Sequence, residues 1–202
     1  MNQNALAEKP VVTYSLIGIN VLVFLLETFS GGSEQVSTAV HFGALYLPLL
    51  TENGEWWRIF TSMFLHFGIY HLGSNMLALF ALGPNVEMVY GKSRFLMIYF
   101  FSGICGSLLT ILTEFLFGNY GVSAGASGAI FGLLGTYLVF ALNPNTRRIF
   151  PLRRVLLSIV VSLSPALTDP SISLTAHVGG LLGGTLMSFL LLPRRLGGKL
   201  DT

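Results

Sequence analysis

Long uncharged stretches, cut by clusters of glycine, proline and asparagine, set the pattern of this chain. A helix needs about 20 apolar residues to cross a hydrocarbon core of about 30 Å. Val11–Leu26 is free of charge, with Glu27 at its end. Ile59–Val86 is uncharged too, its polar residues crowded into the first half. Phe95–Thr113 is a clean span. Phe115–Thr146 also lacks charge, but the turn cluster Gly118-Asn119-Tyr120-Gly121 ends one helix before the next begins, and Asn143-Pro144-Asn145 closes that next helix. Val155–Thr168 is short and contains Pro165, and Ile172–Leu192 is bounded by Pro170 and Pro193. The pattern predicts an all-α membrane protein of six transmembrane helices in a single domain, residues 1–202. The spans fall at about residues 11–29, 70–90, 95–117, 127–142, 153–167 and 172–192. The segment 30–69 is too long for a simple connection. With Pro48, Trp56, Trp57 and many aromatics, it is expected to lie partly in the membrane interface on the external side.

Composition supports this reading. Of 202 residues 52% are hydrophobic and 10% charged, against roughly 25% charged in an ordinary soluble domain. The mean hydropathy is +0.71. Too few polar side chains exist to cover a soluble globule, and a disordered chain is excluded. One cysteine excludes a disulfide framework and a cysteine-based zinc cluster. The pI of 8.8 is a matter of placement. With six spans, ten of the eleven Lys and Arg residues fall on one side, and Arg58 stands alone on the other. Positive charge stays cytoplasmic, so both termini are predicted inside. The basic residues therefore anchor topology in a lipid bilayer and do not form a nucleic-acid patch. The first span is read as a retained helix, not a signal peptide. Lys9 beside Glu8 makes a weak basic region, and no small-x-small cleavage site follows.

Polar residues inside spans are costly and point to function. His66, His71 and Asn75 open the second span. Ser127 opens the fourth, within Gly125-Ala126-Ser127-Gly128, and His177 lies near the start of the sixth, within Ala176-His177-Val178-Gly179-Gly180. Even-numbered spans run from outside to inside, so these groups share one depth near the external side. The fourth span, Ser127–Leu142, covers about 24 Å at roughly 1.5 Å per residue, less than the hydrocarbon thickness. Its start is expected below the outer surface, facing a water-filled cavity that satisfies its free N–H groups. Gly128, Gly132 and Gly135 form one small-residue stripe, and Ala176, Gly180 and Gly184 another, so the two helices can approach closely. Such contact would bring Ser127 within reach of His177, the pairing a hydroxyl nucleophile requires. An acyl-transfer site also needs donors for the developing oxyanion. Asn75, His71 and the Ser127 N–H are the candidates. No carboxylate is positioned by sequence to orient His177. Asp169, Glu87 and Glu114 all lie in other settings, so a dyad is expected.

Together, Trp57-Arg58, His66-x4-His71-x3-Asn75, Gly83-x3-Glu87, Gly125-Ala126-Ser127-Gly128 and Ala176-His177-x2-Gly180 resemble the rhomboid family of intramembrane serine proteases. The resemblance implies a six-helix rhomboid-type bundle with Ser127 as nucleophile and His177 as general base. It also implies an oxyanion hole of His71, Asn75 and the Ser127 amide. Gly125 and Gly128 would shape the loop and the helix contact, and Gly180 the facing helix. Phe131 would pack on His177, where relatives often carry tyrosine. His66, Arg58 and Glu87 would support the fold. No metal or other cofactor is implied, and the partners are transmembrane protein substrates. Two rival readings fit the sequence less well. A catalytically dead binder would lack the serine or the histidine, and a transporter would show broken helices and inverted repeats. The compact chain beginning at Met1 points to a prokaryotic plasma membrane.

Overall fold

Breakers in the sequence set the helix ends in the computed structural model, which describes residues 9–193. Helix α1 (Val11–Phe29) starts after Pro10. Three short helices follow, α2 (Val36–Phe42), α3 (Leu47–Asn53) and α4 (Arg58–Thr61), the last running into a 3-10 turn at Ser62–Phe64. Then come α5 (Gly68–Tyr90), α6 (Lys92–Phe117), α7 (Ser127–Leu142), α8 (Leu152–Leu163) and α9 (Leu174–Leu190). A single antiparallel bridge, Leu45 to Ser123, is the only β pairing among the described residues.

The observed ends differ little from those expected, and each difference has a cause. The third span was expected from residue 95, but α6 begins at Lys92. Lys92 and Arg94 sit in its first turn, where long basic side chains can reach the interface. The sixth was expected from residue 172 and begins at 174, because the Ser173 hydroxyl caps α9 by accepting the Ala176 N–H at 3.2 Å. The fifth was expected to run to residue 167. Pro165 instead converts Ser164–Leu167 to a 3-10 turn, and α8 keeps 12 residues. Among the described residues two helices, α1 and α6, are long and apolar enough to cross a membrane. Arg58–Phe64 and Gly68–Tyr90 make a third such unit, bent by 91°. The apolar α7 and α9 are shorter, at 16 and 17 residues. The C-terminal basic residues Arg194, Arg195 and Lys199 lie outside the described residues.

The centre of the bundle is α7, wrapped by α6 and α9 at backbone-to-backbone distance. A Cβ at Gly180 would overlap the Gly128 carbonyl, and one at Gly184 would overlap Gly132. A Cβ at Gly135 would sit 2.5 Å from the Leu181 carbonyl oxygen. Helix α6 adds a third small stripe. A Cβ at Gly106 would lie 2.6 Å from the Ala176 oxygen, and one at Gly179 would lie 2.6 Å from the Cys105 oxygen. Cys105 is thus part of this packing.

Helix α1 is joined to α5 by Glu87. Its carboxylate accepts the N–H groups of Val12 (2.9 Å) and Thr13 (2.8 Å) and the Thr13 hydroxyl (2.8 Å). A carboxylate in that place satisfies otherwise free donors of the first turn and complements the helix dipole. The segment 30–69 folds around Arg58, which is buried and donates to the carbonyls of Val40 (2.7 Å) and Ala44 (3.1 Å) and to Glu55 (2.7 Å). The guanidinium holds the Glu55 carboxyl below the usual carboxylate range. Trp56, Trp57 and Phe60 project outward from it.

The packing makes a sharp contrast between glycines. At Gly18, in α1, a Cβ meets nothing within 4 Å, so Gly18→Ala should leave the thermal midpoint unchanged or raise it slightly through helix propensity. Gly180→Ala must push α7 and α9 apart and should lower the midpoint strongly. Equal midpoints for the two variants in one detergent would show that the α7–α9 contact does not hold the bundle.

Candidate active site

The site is built where three helices begin. Ser127 is the first residue of α7, and its N–H belongs to a turn with no intrahelical acceptor. The loop before it is pinned to the 30–69 segment twice. Leu45 and Ser123 exchange backbone hydrogen bonds of 2.9 Å, and the Gly125 N–H donates to the Ser62 carbonyl at 2.9 Å. Gly125 has φ of +137°, a region that side chains avoid. A Cβ there would lie 2.9 Å from both Nε2 and Cε1 of His71. The loop therefore rests directly on the His71 ring, with no room for a larger residue.

His71 and Asn75 occupy successive turns on one face of α5. The Phe67 N–H donates to His71 Nδ1 at 3.3 Å. With Nδ1 accepting, the neutral ring is assigned its proton on Nε2, and Nε2 is the atom beneath Gly125. Asn75 is 7% exposed, and its Nδ2 finds no hydrogen-bond partner among the described residues. A buried amide donor left free is uncommon and calls for an explanation.

His177 lies in the first turn of α9 and is 6% exposed. Its ring stacks on Phe131 of α7, with centroids 4.1 Å apart and planes 18° from parallel. Nδ1 is buried without a partner among the described residues, so no carboxylate orients the imidazole. The three acidic residues considered from sequence are engaged elsewhere. Glu87 caps α1, and Glu114 accepts the Gly121 N–H at 3.2 Å. Asp169 closes an exposed turn, accepting the Ser171 N–H (2.9 Å) and hydroxyl (2.6 Å), which hold its carboxyl below the ordinary range.

Ser127, His177, His71 and Asn75 all line one cavity of about 1590 Å³, and Gly125, Gly128 and Phe131 share its wall. No direct hydrogen bond joins Ser127 to His177 in this structure, although both line the cavity. The cavity continues between α5 and α8 past Tyr137 and Phe150 to Arg154. His66, Arg58, Glu87 and Gly180 do not line it. Among the described residues no three His, Cys, Asp or Glu side chains gather as a metal site would require.

Residues 53–194 match the Rhomboid domain family. The chain belongs to the rhomboid family. It is 43% identical over 180 residues to Rhomboid protease GluP of Bacillus subtilis (strain 168), an alignment covering 87% of this chain and 34% of that protein. YdcA of the same bacterium is 42% identical over 146 residues, 71% of each chain. RHOMBOID-like protein 1 of Arabidopsis thaliana is 36% identical over 160 residues, 78% of this chain and 40% of that protein. This chain thus spans about a third of the length of GluP and two-fifths of the Arabidopsis relative.

The rhomboid match takes in the cavity-lining residues from α4 onward, but two features of the site were not read from sequence. One is a hydroxyl cluster at the cavity wall. Thr110 of α6 lies 3.0 Å from Thr175 and 3.3 Å from Ser173, at the start of α9. A threonine inside an apolar span was the available signal, but no motif surrounds it. The other is Glu27, fully buried near the C-terminal end of α1, whose Oε2 accepts the His66 N–H at 3.2 Å.

The contact between Gly125 and His71 yields a test. If His71 is the oxyanion donor expected from sequence, Gly125→Ala should cut the rate of acylation by a serine-directed probe at least tenfold, because the added methyl would displace its ring, and loss of one oxyanion donor costs about 100- to 1000-fold in an unrelated serine protease. Unchanged acylation would mean that the loop does not position His71.

Proposed function

We propose that this rhomboid-family chain is an intramembrane serine endopeptidase. It would hydrolyse peptide bonds of membrane proteins at or near the external end of their transmembrane segments, using a Ser127–His177 dyad. One observation carries the reading. A serine at a helix start, an imidazole, and two side-chain donors that include the free Nδ2 of Asn75 line a single cavity. In the proposed reaction Ser127 Oγ attacks the scissile carbonyl while His177 takes its proton. The oxyanion is held by His71 Nε2–H, Asn75 Nδ2–H and the Ser127 N–H. Protonated His177 then gives the proton to the leaving amine. Water, deprotonated by the same imidazole, hydrolyses the acyl-enzyme and restores Ser127.

The topology proposed with this function has six membrane helices, α1 and α5 to α9, with both termini cytoplasmic. Its support is the one-sided placement of basic residues and the apolar character of α1, α6, α7 and α9. The bacterial relatives favour a prokaryotic plasma membrane. Substrates would enter sideways between α5 and α8, where the cavity continues and where α8 is short. A substrate helix must unwind there, since a helical peptide bond hides its carbonyl.

The deciding experiment is labelling by a fluorophosphonate or isocoumarin. The wild-type chain should be labelled, Ser127→Ala should not, and His177→Ala should fall by several orders of magnitude. Labelling that persists in Ser127→Ala would sink the assignment. Cleavage of a transmembrane substrate should continue in excess chelator, and its loss there would argue for another chemistry. A cross-link between cysteines at Ala81 and Ser158, in a Cys105→Ala background, should block transmembrane substrates. Full-rate cleavage by the cross-linked chain would refute lateral entry.

A further inference from the structure

Glu27 takes no part in the reaction proposed above, yet it is fully buried within an apolar helix. A carboxylate in such a place is costly unless its hydrogen bonds do something specific. Its Oε2 accepts the His66 N–H at 3.2 Å, across 39 residues of sequence. His66 lies in the elbow where Arg58–Phe64 meets α5 at 91°. Four consecutive amides make this elbow. Leu65 N–H donates to the Ser62 carbonyl at 3.4 Å, and Gly68 N–H to the His66 carbonyl at 3.1 Å. Gly68 has φ of +81°, which reverses the chain. The two amides between have no backbone acceptor. His66 N–H goes to Glu27, and Phe67 N–H goes to His71 Nδ1 at 3.3 Å.

The amide that sets the tautomer and direction of His71 is therefore the neighbour of the amide held by Glu27. The His66 ring, 1% exposed, packs edge-on against His71 with centroids 5.1 Å apart. A shift of the elbow would be transmitted along both routes. Release of His66 N–H would leave a buried donor free to seek another acceptor, and the adjacent peptide plane would turn with it. We propose that Glu27 is a positioning residue for the oxyanion hole, holding the elbow so that His71 Nε2–H points at the reacting carbonyl. The proposal rests on the catalytic reading of Ser127 and His71 given above.

The test uses the full chain and a fluorophosphonate, comparing the maximal rate of Ser127 labelling with the probe concentration at half-maximal rate. Glu27→Leu, similar in size and compatible with an apolar helix, should slow the maximal rate about 10- to 100-fold, as small misplacements of catalytic groups do. The half-maximal concentration should change less than about threefold. Glu27→Gln keeps an oxygen that accepts the same amide and should stay within about threefold of wild type. A merely structural role predicts a loss that follows the folded fraction and is the same for both substitutions. That result, or wild-type labelling of Glu27→Leu, overturns the proposal. Where Glu27→Leu does not fold, Glu27→Asp draws the carboxylate back by one methylene. Slow labelling of that folded variant supports the proposal, and a wild-type rate refutes it. Absence of Ser127 labelling in the wild-type chain is a separate outcome, which overturns the catalytic reading and this inference with it.

Discussion

The approach of α7 to α9 without intervening side chains is the constraint on which the rest of the molecule depends. Between helices in lipid there is little hydrophobic driving force, because the tails are as apolar as leucine. Association rests on close van der Waals packing and a few polar contacts. Gly132 and Gly135 of α7 and Gly180 and Gly184 of α9 are packed so closely that a methyl group on any of them would strike backbone or a neighbouring side chain, and Gly128 supplies the backbone that a Cβ at Gly180 would overlap. Because the first turns of both helices lie in this contact, Ser127 and His177 are brought to one level. The small residues of α6 complete the constraint by fixing α9 from its other side, and they place Thr110 beside the Ser173–Thr175 cap. Placement of the proposed dyad is thus a consequence of packing among residues that carry no chemistry.

A short α7 makes the cavity necessary as well as possible. Its 16 residues cover about 24 Å at roughly 1.5 Å per residue, so in the proposed topology one end would lie beneath the membrane surface and its free N–H groups would need protein or water as partners. The same economy governs the carboxylates. Glu87 caps α1, Glu55 pairs with Arg58, Asp169 closes a turn, and Glu27 holds an elbow amide. None is left to orient His177. Stacking on Phe131 and burial in the first turn of α9 supply that orientation by shape. The proposed dyad therefore carries no buried charge beside its base, which would otherwise add the desolvation cost of a carboxylate in an apolar surround.

Much of this was legible in the residues, for identifiable reasons. Helix ends were readable where they fall at the 118–121 cluster and Asn143, and α7 has the predicted limits. Ser127, His177, His71 and Asn75 stood out because polar groups are rare within apolar spans and these gather at one end. The stripe on α6 escaped notice, since Ser102, Gly103 and Gly106 have the spacing of ordinary small residues until their partner helix is known. The 91° elbow was likewise hidden within one continuous uncharged run, Ile59–Val86. Glu27 looked like a charge at a span end because its acceptor role depends on an amide 39 residues away. The segment 30–69 offered aromatics but no periodicity long enough to announce α2, α3 and α4. Apart from those short helices, what failed to show in sequence was contact between residues far apart along the chain.

The helices are not held equally, and the difference bears on how a large substrate would reach the half-buried Ser127 in the proposed reaction. Helices α6, α7 and α9 interlock through backbone contacts on several faces. Helix α8 packs chiefly on α7 and contributes Val155 and Ile159 to an apolar cluster with Phe131 and Leu134. Local opening concentrates in elements with few buried apolar contacts, and α8 is such an element, ended by Pro165 and bordered by the cavity. Its cluster includes the ring that stacks on His177. A displacement of α8 that widened the groove toward α5 would therefore loosen packing around Phe131, while the glycine contacts kept α7 and α9 in register. In that arrangement the side proposed for substrate entry could move without carrying Ser127 with it, while His177 would meet the movement through its one aromatic contact with Phe131.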